Sequence, residues 1–288
     1  MNPMKGKTVL VTGANQGIGK ATALALAQQG ADVVIHSRNP EKGRAALNDV
    51  QAASRGGKAE LLVADFASLA DVRRAAAEFR AKHKRLDVLV NNAGLIVPER
   101  HLTIDGLEET FAVNHLAPFL LTMELLDLLK ASTPARIVNV SSEAHRGAKM
   151  HWEDLQFANG GYKSFRAYGQ SKLANVLFTY ELARRLDGTG VTANVLHPGV
   201  VASGFGQTYS GALSFVIGLA KPFMLTNEQG ARTSVHVASS PEVEGVTGKY
   251  FSKCHAVRSN RVSYDEASQR KLWSLSLEMI KAPAQAAA

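Results

Sequence analysis

Tyr168 and Lys172 are the pair in this sequence best placed for proton transfer. They stand four residues apart in Tyr168-Gly169-Gln170-Ser171-Lys172, and Leu173, Val176, Leu177, Tyr180 and Leu182 continue a helical apolar period behind them. A phenol and an ammonium at that spacing share one helix face. A free phenol with a pKa near 10 is a poor base at neutral pH, so its use as acid or base demands a downward shift of roughly 2 to 3 units, about 3 to 4 kcal/mol. One cation about 4 Å away at an effective dielectric of 20 supplies roughly 4 kcal/mol, so Lys172 is of the right magnitude. Taken alone, such a pair is commonplace on helices, and its weight comes from its surroundings.

A second piece of chemistry lies near the N-terminus. An apolar run over 8–12 enters Gly13-Ala14-Asn15-Gln16-Gly17-Ile18-Gly19, and a helical pattern starts at Lys20. Glycines in a strand-to-helix turn let backbone amides approach a pyrophosphate, and the helix dipole adds a favourable field. The alternative is a turn that is glycine-rich only for packing; the strand before it and the helix after it favour phosphate binding. The choice of nucleotide rests on the end of the next apolar run, His36-Ser37-Arg38-Asn39. No acid that could accept ribose hydroxyls appears before Glu41, and Arg38 can pair with a 2′-phosphate, which points to NADP(H).

The elements that must position these residues alternate. Apolar, β-branched runs at 8–12, 33–36, 59–64, 88–90, 137–140 and 191–196 are separated by helical patterns. Strands buried on both faces read as continuous apolar runs, so the alternation predicts a parallel sheet with helices on both faces. That is an α/β, doubly wound, Rossmann-like architecture in a single domain over 1–288. Thr226 and Gln229 have the spacing of a capping box at a helix start. The pattern further predicts a short strand over 246–251, a final helix over 264–281 and a disordered tail over 282–288. Residues 201–225 read as a substrate lid; Phe205, Tyr209, Leu213, Phe215, Ile217 and Phe223 with few charges suggest an apolar pocket and an apolar substrate.

The spacing Thr12-Gly13-x-x-x-Gly17-x-Gly19 resembles the short-chain dehydrogenase/reductase family, and three further segments follow its pattern: Asp65, Asn91-Asn92-Ala93-Gly94 and Pro198-Gly199-Val200-Val201-Ala202-Ser203. The resemblance implies cofactor contacts from Gly13, Asn15, Gln16, Gly17, Ile18, Gly19, Ser37, Arg38, Asp65, Asn91, Ala93, Gly94, Pro198, Gly199, Val201 and Ser203. Gln16 departs from the pattern of many NADP-using members, which carry a second basic residue there. It also implies a catalytic set of Asn114, Ser142, Tyr168 and Lys172, with Ser142 preferred to Ser141 because the second serine of such a pair is the usual one. In reduction, Tyr168 would protonate the carbonyl oxygen while hydride leaves the nicotinamide for its carbon, and Ser142 would hydrogen-bond that oxygen. Lys172 would bind the nicotinamide ribose and lower the tyrosine pKa, and Asn114 would hold a water linking Lys172 to solvent. A narrower similarity, over 168–177, 188–201, Trp152-Glu153-Asp154-Leu155 and Gly248-Lys249-Tyr250-Phe251-Ser252, is to the retinol dehydrogenase and WW-domain oxidoreductase branch. The implied reaction is NADP(H)-dependent interconversion of an alcohol and an aldehyde or ketone. Members of the family often pair into homo-oligomers.

Composition narrows the remaining classes. The 288 residues carry a net charge of +8, but the basic residues are scattered without aromatic platforms, so no nucleic-acid partner is expected. The densest cluster, Lys82-His83-Lys84-Arg85, reads as a solvated helix end. Cys254 is the only cysteine, which excludes an intramolecular disulfide and suits a reducing cytoplasm. No export signal is read at the N-terminus, and no uninterrupted apolar run reaches the roughly 20 residues of a membrane span, the nearest lying within 211–225. His115, His145, His151 and His197 lack metal-ligand spacing and read as loop or packing residues; no metal is expected. Two other readings stay open: a cofactor-binding sensor or scaffold without turnover, and a nucleotide-sugar epimerase or dehydratase, which shares the Tyr-x-x-x-Lys pair.

Overall fold

The computed structural model describes residues 3–199 and 225–281, so Val201, Ser203 and most of the expected lid lie outside the described residues. The strands are β1 (Thr8–Val11), β2 (Asp32–Ser37), β3 (Ala59–Val63), β4 (Val88–Asn91), β5 (Ala135–Val140), β6 (Val191–Leu196), β7 (Tyr250–Ser252) and β8 (His255–Val257). They form one sheet in the order β3-β2-β1-β4-β5-β6-β7-β8. Strands β1 to β7 run parallel to one another, and the order reverses between β1 and β4. At such a switch point the connections leave to opposite sides, and a crevice opens at the C-terminal strand ends.

Helices cover both faces. They are α1 (Gly17–Gln28), α2 (Pro40–Ala53), α3 (Leu69–Lys82), α4 (Glu109–Phe111), α5 (Ala117–Ala131), α6 (Ser164–Arg185), α7 (Asn227–Ser239) and α8 (Glu266–Lys281), with a π-helical turn over Ala112–Leu116 joining α4 to α5. Along β1, Val9 and Val11 enter one core with residues of α1, α2 and α7, while Leu10 enters another with residues of α3, α5, α6 and α8. Successive strand side chains point to opposite faces, so burial on both sides is why these strands carry unbroken apolar runs.

Two expectations need correction. The sheet is not wholly parallel: β8 pairs antiparallel with β7. Lys253 and Cys254, with φ of +49° and +66°, make the two-residue turn between them, and a turn that short can join only antiparallel neighbours. Every residue of β8 is exposed, so it had no apolar run to announce it. The second correction concerns membrane-spanning length. The helical stretch Glu109–Ala131 is long and apolar enough by composition to cross a membrane, but 72% of its apolar window is buried inside the fold, as in a core helix. Lys82, the last residue of α3, pairs with Glu78 at 2.8 Å, and Arg85 grips the buried Asp87.

Candidate functional site

The glycine turn lies at the end of β1, latched to the end of β4. Thr12 Oγ1 accepts the N–H groups of Asn92 at 2.9 Å and Ala93 at 3.0 Å, while Asn92 Nδ2 donates to the carbonyls of Thr12 and Gly13. The glycines are there for space as well as for conformation. A Cβ on Gly13 (φ +64°) would stand 2.8 Å from Ala93 Cα, and one on Gly19 only 2.4 Å from the Gly13 carbonyl oxygen. At the start of α1, Gln16 provides no side-chain cap and the first turn holds no acid. The first amides of a helix have no intrahelical acceptor, so Gly17, Ile18 and Gly19 offer N–H groups and the positive dipole end to an anion. Among the described residues Asn227 Oδ1 is buried without a partner, and it would lie 3.9 Å from a Cβ on Gly17. An uncapped helix start and a turn open to backbone approach fit the phosphates of a dinucleotide.

At the end of β2, Ser37 is buried and donates to the carbonyl of Asn39, while Arg38 is exposed and has no hydrogen bond or ion pair among the described residues. Asp65, beyond β3, accepts the N–H of Ala67. His36 joins these segments. Its Nδ1 accepts the Gly13 N–H at 3.1 Å, its Nε2 donates to the Ala64 carbonyl at 3.0 Å, and its ring stacks on Phe66 with centroids 4.0 Å apart. His36 has no signature in its own stretch of sequence, because both backbone partners of its ring lie more than twenty residues away along the chain.

Burial holds His36 down at about 4 despite the nearby Asp65 and Asp71, and holds His115, enclosed by Asn175, Ser276 and aromatic rings, at about 4 too. Both are neutral in the folded protein at pH 7. An unfolded chain protonates them near 6.5, so the stability tied to their neutrality is complete above that value and is lost as pH falls toward 4. Urea unfolding midpoints should therefore drop between pH 7.5 and pH 5, by roughly 2 kcal/mol of stability per histidine. Equal midpoints at the two pH values would show that these rings are protonated without penalty.

The catalytic candidates converge at the ends of β4 and β5 and on α6. Asn114 stands in the π-helical turn, a local widening that periodicity does not reveal. Its Oδ1 accepts the Leu95 N–H at 2.7 Å, and its Nδ2 donates to the Leu95 carbonyl and to Ser171 Oγ. The side chain is thus fully engaged in holding the residues after Gly94. Gly94 is pressed against Lys172, since a Cβ there would lie 3.1 Å from both Lys172 Nζ and Asn114 Oδ1. Asn91, by contrast, turns its side chain into the interior, where Nδ2 donates to Thr122 Oγ1 and Asn139 Oδ1.

The two serines separate cleanly. Ser141 is buried and donates to the Lys172 carbonyl at 2.7 Å, tying β5 to α6. Ser142 is half-buried, its Oγ accepts the Ala144 N–H, and its own O–H has no acceptor among the described residues. Gly169 lets α6 approach this loop: a Cβ there would meet the Ala144 carbonyl and Ala148 Cβ, both at 3.2 Å. His145 fixes the loop from behind, with Nδ1 donating to the Ser142 carbonyl at 2.7 Å and Nε2 accepting the Asn260 N–H. Tyr168 is half-buried, with its ring centroid 5.6 Å from Lys172 Nζ. Lys172 is fully enclosed, and desolvation alone lowers it to about 8; Nζ donates to the Val140 carbonyl at 3.1 Å, and among the described residues no carboxylate pairs with it. Gly199, after Pro198 at the end of β6, donates its N–H to His197, which also reaches Ser252 and Glu143. A cavity of ≈ 490 Å³ lies between the loop after Ser142 and the start of α6, lined by Ala144, Gly147, Ala148, Lys149 and His151 from the loop side and by Phe165, Arg166 and Gly169 of α6. Among the described residues, no group of three or more His, Cys, Asp or Glu gathers as a metal site would.

Comparison with known proteins agrees with this fold. Residues 7–212 match the family model described as short chain dehydrogenase. Retinol dehydrogenase 14 of Homo sapiens is 45% identical, with 96% of this chain and 87% of that protein covered. Retinol dehydrogenase 12 of Mus musculus is 44% identical, with 96% and 86% covered. Among solved structures, a protein from Mycobacterium paratuberculosis superposes with a TM-score of 0.78 at 33% identity, over 98% of this chain and 96% of its own. A short chain dehydrogenase from Burkholderia cenocepacia, solved in complex with NADP, does so with a TM-score of 0.71 at 29% identity, over 87% and 96%.

Proposed function

Because the chain belongs to the short chain dehydrogenase family, we propose that it is an NADP(H)-dependent oxidoreductase interconverting an apolar alcohol and its aldehyde or ketone, with Tyr168 as general acid and base. The observation that carries this reading is the fully enclosed, carboxylate-free ammonium of Lys172 beneath the Tyr168 ring. A unit charge at that range is worth about 3 kcal/mol to a phenolate at an effective dielectric of 20. With no acid beside it, that field is not cancelled locally. The bound nicotinamide nucleotide would supply or accept the hydride. Ser142, with its O–H uncommitted, donates to the substrate oxygen where negative charge develops, and Tyr168 Oη gives or takes the proton on that oxygen. Asn114 acts by holding the backbone after Gly94 against Lys172. Carbonyl-dependent oxidation of NADPH tests the reading: a sensor would bind NADPH without turnover, and an epimerase would turn over with no net change in it.

Preference for NADP(H) rests on Arg38, exposed and uncommitted at the end of β2, with no carboxylate beside it to accept ribose hydroxyls. The relative solved with NADP supports the same class of nucleotide. Arg38→Asp removes the phosphate partner and adds a like charge, so the KM for NADPH should rise by about tenfold to a hundredfold while that for NADH falls or holds. A wild type that already prefers NADH would refute the assignment.

An apolar substrate is supported by the retinol dehydrogenases among the relatives and by Ala144, Ala148 and Phe165 in the cavity between the loop after Ser142 and the start of α6. Each methylene that enters such a cavity contributes about 0.8 kcal/mol, so kcat/KM along straight-chain aldehydes should climb roughly three- to fourfold per carbon until the space fills. A flat series, or a preference for a sugar or short keto acid, would remove the apolar pocket and leave the catalytic assignment standing.

A further inference from the structure

We infer that His36 is a positioning residue for the nucleotide, holding the glycine turn and the adenosine end of the site in one fixed arrangement. The inference rests on the reading of this crevice as the cofactor site, and it concerns a side chain that touches three of its segments. The first is the turn itself. The His36 ring accepts the Gly13 N–H and the His36 carbonyl accepts the Ala14 N–H at 2.9 Å, so both amides are committed to β2. Phosphate oxygens are left to the amides at the start of α1, and His36 decides where that start lies relative to the end of β2. The second segment is its own strand end, where Ser37 and Arg38 follow directly. The third is the end of β3, where the ring donates to the Ala64 carbonyl and lies flat on Phe66, the residue after Asp65.

The ring suits this task better than a simple packing residue would. It is 3% exposed, and an apolar side chain of its size would fill the space. Such a side chain would leave the Gly13 N–H and the Ala64 carbonyl without these partners, and backbone groups so left in an interior are free to re-form elsewhere only if the turn moves. The partners of the ring are backbone groups of the glycine turn and of the β3 end, which either nucleotide must meet. Its loss should therefore weaken both NADPH and NADH binding, whereas loss of Arg38 weakens NADPH alone.

The test is fluorescence titration of the cofactor-free protein with NADPH and with NADH, together with steady-state kinetics, for wild type, His36→Phe, His36→Leu and His36→Asn. Phe keeps the stack on Phe66 and drops both hydrogen bonds. Asn carries an oxygen where the ring has Nδ1, and Leu has the same size without it. We expect Phe and Leu to lose about tenfold or more in affinity for both nucleotides with kcat at saturating cofactor within about threefold, and Asn to recover most of the loss. Should His36→Phe fold poorly, the Asn and Leu pair carries the same comparison. Equal affinities in Asn and Leu, or wild-type affinity in Phe, would overturn the inference alone. A wild type that binds neither nucleotide would overturn the cofactor reading and this inference with it.

Discussion

Tyr168→Phe is expected to lower turnover by on the order of a thousandfold, about 4 kcal/mol of transition-state stabilisation, while NADPH affinity stays within about twofold of wild type. The substitution removes one oxygen atom. The ring remains half-buried on α6, its centroid still 5.6 Å from Lys172 Nζ, and Gly169 still holds α6 against the loop after Ser142. What is lost is the transferable proton and the oxyanion that Lys172 can stabilise. Ser142 and the bound nucleotide remain, so residual turnover above that in free solution is expected. The split is diagnostic: a loss in kcat and in kcat/KM by the same factor means an interaction made only in the transition state. Activity above a tenth of wild type would sink the tyrosine mechanism. A parallel loss of cofactor affinity would show that Tyr168 serves mainly to bind.

Much of this site was legible in the sequence because its chemistry is local. The glycine turn follows a strand and opens a helix, and Tyr168 and Lys172 share one helix, so short spacings specify both. The fold was legible for a related reason, since strands buried on two faces leave unbroken apolar runs. What escaped depends on contacts between segments far apart in the chain. The Asn92 side chain clamps a turn about eighty residues away, and His145 fixes the Ser142 loop through Asn260. Neither has a signature in its own neighbourhood. Asn91 lies within a motif read as one unit, yet its side chain serves the interior between β4, β5 and α5. β8 escaped because an exposed edge strand of three residues needs no apolar pattern, and the positive φ of Lys253 and Cys254 is not written in those residue types.

Lys172→Met should abolish turnover and at the same time stabilise the cofactor-free protein at pH 7. The ammonium is enclosed without a counter-charge among the described residues, and desolvation brings it down from 10.5 to about 8. Between those two values the unfolded chain holds the proton and the folded one does not, so this group makes stability rise with pH across that window. Below about 8 the folded protein retains the charge and bears its full burial penalty, roughly 3 kcal/mol. Methionine fills a similar volume with no charge to desolvate. Against that gain stand the lost hydrogen bond to the Val140 carbonyl and the lost approach to the Tyr168 ring, together about 1 to 2 kcal/mol. Asn175 Nδ2 also lies 3.4 Å from that carbonyl and can keep it paired. The net expectation is about 1 to 2 kcal/mol in favour of methionine, a Tm increase of roughly 2 to 5 °C for a chain of this size. Thermal melts at pH 7 and pH 9.5 separate this account from simple repacking. The advantage should shrink at the higher pH, where wild-type Lys172 is itself neutral. NADPH should raise the Tm of wild type more than that of the variant, because only wild type has an ammonium to offer the nucleotide. A variant less stable than wild type at pH 7, or an advantage that does not change with pH, would mean that the Lys172 charge is not the strained element of this site.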